Sequence, residues 1–268
     1  MPSDRDVVTD ASASGAPASS PAPSGAPGDH SGPPPILEAT GVRKVYRTGT
    51  QEVEALRGVD LLITSGEMVM VMGPSGNGKT TMLNCLSGLD DIDEGTVLVD
   101  GADIHRMGDA ARTTHRAERM GFIFQSFNLI PVFSAAENCE LPLLVTGVKP
   151  KEARERAKAM LSQVGLDDRF DHRPTELSGG EQQRVAIARA LVSQPAIVWA
   201  DEPTGNLDSA TADAVLTMLH DVHNAGQTLV IVTHDRGIGA SGTRLVEVRD
   251  GLITYDGVPS GAPLAVAH

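Results

Sequence analysis

Four short, almost wholly apolar runs mark the middle of the chain: Met68–Met72, Gly121–Phe124, Ala196–Ala200 and Leu229–Val232. Runs without alternation suit strands buried on both faces of a parallel sheet. Patterns of helical period lie between them, as at Thr80–Ser87 and Glu181–Val192. Strands alternating with helices predict a doubly wound α/β core. Three earlier segments, Leu37–Val45, Val53–Ile63 and Thr96–Ile104 with its Asp100-Gly101 turn, alternate apolar and polar residues and predict an antiparallel β layer. Residues 135–173 are mostly helical in pattern, most clearly over Lys149–Val164, and read as a helical insertion. Leu245–Val248 and Leu252–Tyr255 flank Asp250-Gly251, a hairpin signal.

Composition bounds this picture. Residues 1–35 are Ala, Ser, Pro and Gly with a few charges, and are expected to be a disordered tail. Residues 257–268 are expected to be a flexible tail. The folded domain is then expected over 36–256, with its helical subdomain at about 126–176. The 268 residues carry a formal net charge of -13 and no Lys/Arg cluster, so no nucleic-acid partner is expected. The basic run Lys149–Arg156 is interleaved with Glu152 and Glu155 and reads as a solvated helix face. Cys85 and Cys139 have no metal-type or redox-type neighbours and read as thiols in a reducing compartment. No apolar stretch approaches the roughly 18–20 residues of a membrane span, and the start lacks a signal-type apolar region. A cytoplasmic protein that meets a membrane only through a partner is expected.

The chemistry lies at the carboxyl end of each apolar run. Met68–Met72 leads into Gly73, Pro74, Ser75, Gly76, Asn77, Gly78, Lys79 and Thr80, with Thr81 after them. Gly121–Phe124 leads into Gln125, Ala196–Ala200 into Asp201-Glu202, and Leu229–Val232 into Thr233-His234. Open α/β sheets bind ligands at the carboxyl ends of their strands, so these groups are expected on one edge. Gly-x4-Gly-Lys-Thr between a strand and a helix is a phosphate loop. Its backbone N–H groups and helix N-terminus would cradle the β-phosphate, Lys79 would reach the β- and γ-phosphates, and Thr80 would place its hydroxyl on Mg²⁺. Asn77 stands where that pattern accepts any residue. Asp201 suits Mg²⁺ through a coordinated water, and Glu202 the general base that polarises the attacking water. His234 could orient the γ-phosphate and the water. The Gln125 amide could reach Mg²⁺ or the water, and could couple nucleotide state to the insertion.

A second phosphate device lies at Leu177-Ser-Gly-Gly-Glu-Gln182. Ser178 with Glu181 three residues later reads as a capping box, a helix start. Gly179 and Gly180 add what a cap does not need: bare backbone open to a phosphate at a helix N-terminus.

With these residues in order, and with Tyr46 before them and Gly205-Asn206-Leu207-Asp208 after, the chain resembles an ATP-binding-cassette (ABC) ATPase from about Leu37 to Tyr255. The resemblance implies a P-loop NTPase (RecA-like) parallel-sheet core with an antiparallel β subdomain and a helical insertion subdomain. It implies Mg-ATP bound between two copies packed head to tail, with Ser178, Gly179 and Gly180 of one contacting the γ-phosphate held by the other, and it counts Glu181 and Asp208 among the nucleotide-binding residues. It gives Tyr46 the role of stacking on adenine. Thr204–Asp208 together with Leu177–Leu191 resembles the MacB/LolD branch, which includes FtsE-like proteins. Phe127–Pro131, Ala136–Asn138 and Leu141–Leu143 resemble that branch's surface for an integral membrane permease. A transport ATPase is therefore expected, against an FtsE-like coupler that moves no substrate. A soluble ABC ATPase of DNA repair or the ribosome fits less well: Thr80 and Ser178 leave no room for a long coiled coil, and only one cassette is present.

Overall fold

The computed structural model describes residues 35–49 and 51–259. The expected tails lie outside these residues except at their inner ends. Pro35 opens the first strand, and the last strand runs through Gly257.

Two sheets organise the chain. The first is antiparallel, in the order β2-β1-β4-β5, from β1 (Pro35–Thr48), β2 (Gln51–Thr64), β4 (Glu94–Val99) and β5 (Ala102–Asp103). The second has the order β10-β9-β3-β8-β7-β6. Its members are β3 (Met68–Met72), β6 (Met120–Phe124), β7 (Ile197–Asp201), β8 (Thr228–Val232), β9 (Arg244–Arg249) and β10 (Leu252–Gly257), all parallel except β10. The helices are α1 (Lys79–Leu86), α2 (Asp109–Arg119), α3 (Ala135–Val145), α4 (Pro150–Gln163), α5 (Gly179–Leu191), α6 (Ser209–Asn224) and α7 (Arg236–Gly239).

The unbroken apolar runs arise because the second sheet is covered on both faces. Met68, Met70, Val198, Ala200, Leu229 and Ile231 pack into one core with α3, α4, α5 and α6. Their alternating neighbours Val69, Val71, Ile197, Trp199, Val230 and Val232 pack into a second core with α1 and the antiparallel sheet. Truncating a fully buried member such as Leu161 to Ala would cost about 2–5 kcal/mol.

The basic run is a solvated face, with Lys149, Lys151, Glu152 and Glu155 exposed, and two of its arginines also brace the insertion: Arg154 holds Glu140 of α3 by bonds of 2.8 and 3.0 Å, and Arg156 donates to the Val192 carbonyl at the end of α5. One surface expectation is corrected. Ala136 and Asn138 are fully buried and are not surface. The Asn138 amide accepts from Ile130 N and donates to the carbonyls of Ile130, Phe133 and Ser134, so it shapes the loop before α3 from within.

Candidate functional site

Register places the strand ends. Val71 pairs with Val232, Val232 with Asp201, and Asp201 with Phe124. The residues beyond these strand ends therefore leave one edge of the sheet side by side, and they line a cleft of about 650 Å³ with Tyr46 and Val53 at its antiparallel-sheet side. Ser75–Thr81, Gln125, Glu202 and His234 all face it.

The phosphate loop is shaped by close approach. Gly73 has φ 148°, and a Cβ there would strike the Val248 carbonyl of β9. Lys79 is buried, and its Nζ curls back to the carbonyls of Gly73 (2.9 Å) and Pro74 (3.0 Å). Asn77 is more constrained than the motif requires. Its Oδ1 accepts from Asp250 N (2.8 Å), its carbonyl from Gly251 N (3.3 Å), and its Nδ2 donates to Ser75 O (3.1 Å). The β9–β10 turn is thereby fastened to the loop, and Asp250 and Gly251 join the cleft lining.

Thr80 Oγ1 stands 3.4 Å from Asp201 Oδ1. Burial raises the Asp201 pKa above the usual carboxylate value, so a cation beside it would be favoured. A hydroxyl and a carboxylate converging at this edge are the hard oxygen donors that Mg²⁺ takes beside phosphates and water. Glu202 sits at φ 48°, the left-handed region that ordinary residues avoid, with its N–H bonded to Val232 O at 2.9 Å. Its Oε1 lies 2.8 Å from His234 Nδ1. Gln125 is tied to the loop before α6: its Nε2 donates to Asn206 Oδ1 (3.3 Å), and Asn206 Nδ2 donates to Gln125 O (3.0 Å).

The signature residues Ser178, Gly179 and Gly180 are not among those lining the cleft of their own chain. Ser178 caps α5 in the expected box, its Oγ accepting from Glu181 N at 3.3 Å. Two further expected nucleotide-binding residues cap helices within their own chain. Glu181 Oε2 accepts from Ser178 N and Oγ, both at 2.8 Å, and Oε1 accepts from Arg169 Nε at 2.9 Å. Within its own chain Glu181 thus completes the α5 capping box. Asp208 is the N-cap of α6, accepting from Thr211 N (3.1 Å) and Oγ1 (2.7 Å), and it does not line the cleft. Gly180 carries an internal reason for being glycine as well, since a Cβ would strike Thr211 of α6.

Asn206 lies in a loop the sequence marks, but its bond to Gln125 and the place of the Asp250-Gly251 turn in the cleft are not part of the sequence-derived site. The hairpin was legible, but its approach to the phosphate loop, 173 residues away at Asn77, carries no local signal.

The family described as ABC transporter matches residues 56–205 of this chain. The chain is 49% identical over 218 residues to an uncharacterized ABC transporter ATP-binding protein of Thermotoga maritima, covering 81% of this chain and 93% of that one. It is 43% identical over 236 residues to the macrolide export ATP-binding/permease protein MacB of Nitrosomonas europaea, covering 86% of this chain but 36% of that protein. It therefore spans about a third of such MacB relatives. Among solved structures, the ATP-binding cassette MJ0796, dimeric in a post-hydrolysis state with ADP and Pi, superposes with a TM-score of 0.77 at 41% identity, covering 84% of this chain and all of that one.

Proposed function

The chain belongs to the ABC transporter family, and we propose that two copies close head to tail around two ATP molecules and hydrolyse them to drive a membrane permease. The observation that carries this reading is the register Val71–Val232–Asp201–Phe124, which sets the phosphate loop, Asp201-Glu202, His234 and Gln125 on one edge while the chain's own signature stays outside that cleft. A γ-phosphate held at that edge is left for the partner's Ser178–Gly180 to enclose, so ATP bridges the two copies.

In the closed dimer Lys79 exchanges its two loop carbonyls for phosphate oxygens. The backbone N–H groups of Gly76–Thr80 receive the β-phosphate. Glu202 polarises the attacking water, and His234 fixes the orientation of that carboxylate. Gln125 and Asn206 respond together as the γ-phosphate leaves. Mg²⁺, held by Thr80, Gln125 and Asp201 through water, would neutralise charge on the phosphates. The Tyr46 ring stacks on adenine at the mouth of the cleft.

No helix among the described residues is long and apolar enough to cross a membrane. The proposed placement is on the cytoplasmic face, through an integral membrane partner of MacB/LolD type. Its docking surface is the groove lined by Phe122, Phe124, Asn128, Leu141, Pro142 and Val145, flanked by the loop Phe127–Phe133. Light scattering on the Glu202→Gln protein tests the dimer: Mg-ATP should double its mass and ADP should not. A mass unchanged at saturating ATP would overturn closure. Charge substitutions in Phe127–Phe133 should lose the co-purifying membrane protein but keep ATP binding. A partner that moves no substrate would favour the FtsE-like alternative.

A further inference from the structure

Behind Tyr46 lies a group of side chains that the proposed reaction does not use. Lys44 and Tyr46 are two apart on β1 and so share one face of the strand. Asp90, in the segment after α1, reaches both: Oδ1 accepts from Lys44 Nζ at 2.8 Å, and Oδ2 accepts from the Tyr46 hydroxyl at 2.7 Å. Lys44 Nζ also donates to Asp91 O at 2.7 Å and stands 5.1 Å from the centroid of the Tyr46 ring. Asp90 is fixed in turn, since its Oδ1 accepts from Asp91 N at 2.8 Å. The Lys44 side chain is only 12% exposed, whereas Tyr46 remains 39% exposed and lines the nucleotide cleft.

We propose that Asp90 and Lys44 are positioning residues for nucleobase recognition, holding the Tyr46 ring at the mouth of the cleft and polarising it for stacking on a purine. This rests on the reading that Tyr46 stacks on the base. A tyrosine on an exposed strand end would otherwise sample several χ1 wells, and fixing it only on binding costs affinity. The Asp90 bond orders the ring in advance. The Lys44 ammonium adds a cation–π contact that draws electron density away from the ring, which favours stacking with an electron-rich purine. The three groups support one another electrostatically. Burial opposes ionisation of Asp90, but the hydrogen bonds from Lys44 and Tyr46 overcome it and hold its carboxyl below the usual range. Burial and the Asp90 bond together push the Tyr46 phenol up, so it stays a donor at neutral pH.

The test compares ligands with and without a base. Affinities for Mg-ATP and for Mg-tripolyphosphate are measured by calorimetry on the wild type, Asp90→Ala, Asp90→Asn, Lys44→Met and Tyr46→Ala. Asp90→Ala and Lys44→Met should each weaken ATP about three- to tenfold and leave tripolyphosphate unchanged. Asp90→Asn, which keeps an acceptor without the charge, should fall between. Equal losses for both ligands would assign these residues to general folding and overturn the proposal. So would unchanged ATP affinity in the Asp90 and Lys44 variants when Tyr46→Ala weakens it. If Tyr46→Ala itself leaves ATP affinity unaltered, the stacking reading fails instead.

Discussion

His234 Nδ1 stands 2.8 Å from Glu202 Oε1, although the two residues lie 32 positions apart and leave different strands. The contact joins the turn after β8 to the turn after β7, and the Glu202 N–H bond to Val232 makes the same join through the backbone. A left-handed glutamate fixed through its backbone N–H and one carboxylate oxygen has reduced freedom to turn away from a water in the cleft. Glu202→Gln should lower phosphate release by about 10²–10⁴, roughly 3–5 kcal/mol of barrier, with ATP binding kept. His234→Ala should lower it as well. Because the pair acts as one unit, the double variant should be little slower than Glu202→Gln alone. Multiplicative losses in a phosphate-release assay would show that the two act independently.

Asn77 ties the phosphate loop to the β9–β10 turn through its side-chain and main-chain oxygens. Asn77→Ala removes the Asp250 bond and leaves that N–H to water, a net loss of about 1 kcal/mol. The loop then loses one of its external supports, so ATP affinity should fall several-fold while the maximal turnover rate stays near wild type. Calorimetry and steady-state kinetics on one preparation separate the two quantities. A fall in turnover at saturating ATP with affinity unchanged would refute a role in loop positioning.

Much of the fold was legible because its strands are extreme. Met68–Met72 and Leu229–Val232 are apolar on both faces since both faces are buried, and the groups at their ends could be ordered from that fact alone. The helices that escaped notice lack this signal. None of the residues of α2 is buried, so it shows no apolar stripe, and in α6 the stripe Val215, Met218, Leu219 and Val222 is confined to the second half of the helix. At the site, residue type was readable where the backbone fixes the side chain's direction, as at Lys79, Asp201 and Glu202. Glu181 and Asp208 also carry a local signal, since each lies in a helix-start pattern and each accepts from a helix N-terminus in its own chain. The tie from Asn77 to the hairpin carries no sequence signal because its partner arrives from the far end of the chain.

Glu181 supplies a pH dependence. Backbone and hydroxyl bonds from Ser178, with Arg169 assisting, hold its pKa at about 2. In the unfolded chain a glutamate titrates near 4.3. The folded state therefore binds this proton less readily, and the stabilisation is fully present above the unfolded value. It is lost as pH falls from about 4.3 towards 2. Glu181→Gln keeps an acceptor for the cap but removes this titration, so urea midpoints of wild type and variant should converge between pH 5 and pH 3, with wild type the more stable at the upper end. A constant difference across that range would exclude Glu181 as the titrating group.

Arg189, near the end of α5, donates to the carbonyls of Asn128 (2.6 Å) and Phe127 (2.9 Å). Those two residues are consecutive and both left-handed, with φ 48° and 60°, a backbone that non-glycine residues adopt at a cost of order 1 kcal/mol each. Burial pulls the Arg189 pKa down. The forked guanidinium thus holds the Phe127–Phe133 loop in its strained form from the helix whose first turn is the Ser178 signature. In the proposed dimer, a movement of that helix on nucleotide closure would reach the loop through this contact. Arg189→Lys keeps the charge but offers a single point donor that cannot span both carbonyls. Its 126–133 amides should exchange hydrogen at least tenfold faster, ATP binding should persist, and recovery of the membrane partner should drop. Unchanged exchange in that segment would mean the loop holds its own shape and Arg189 transmits nothing.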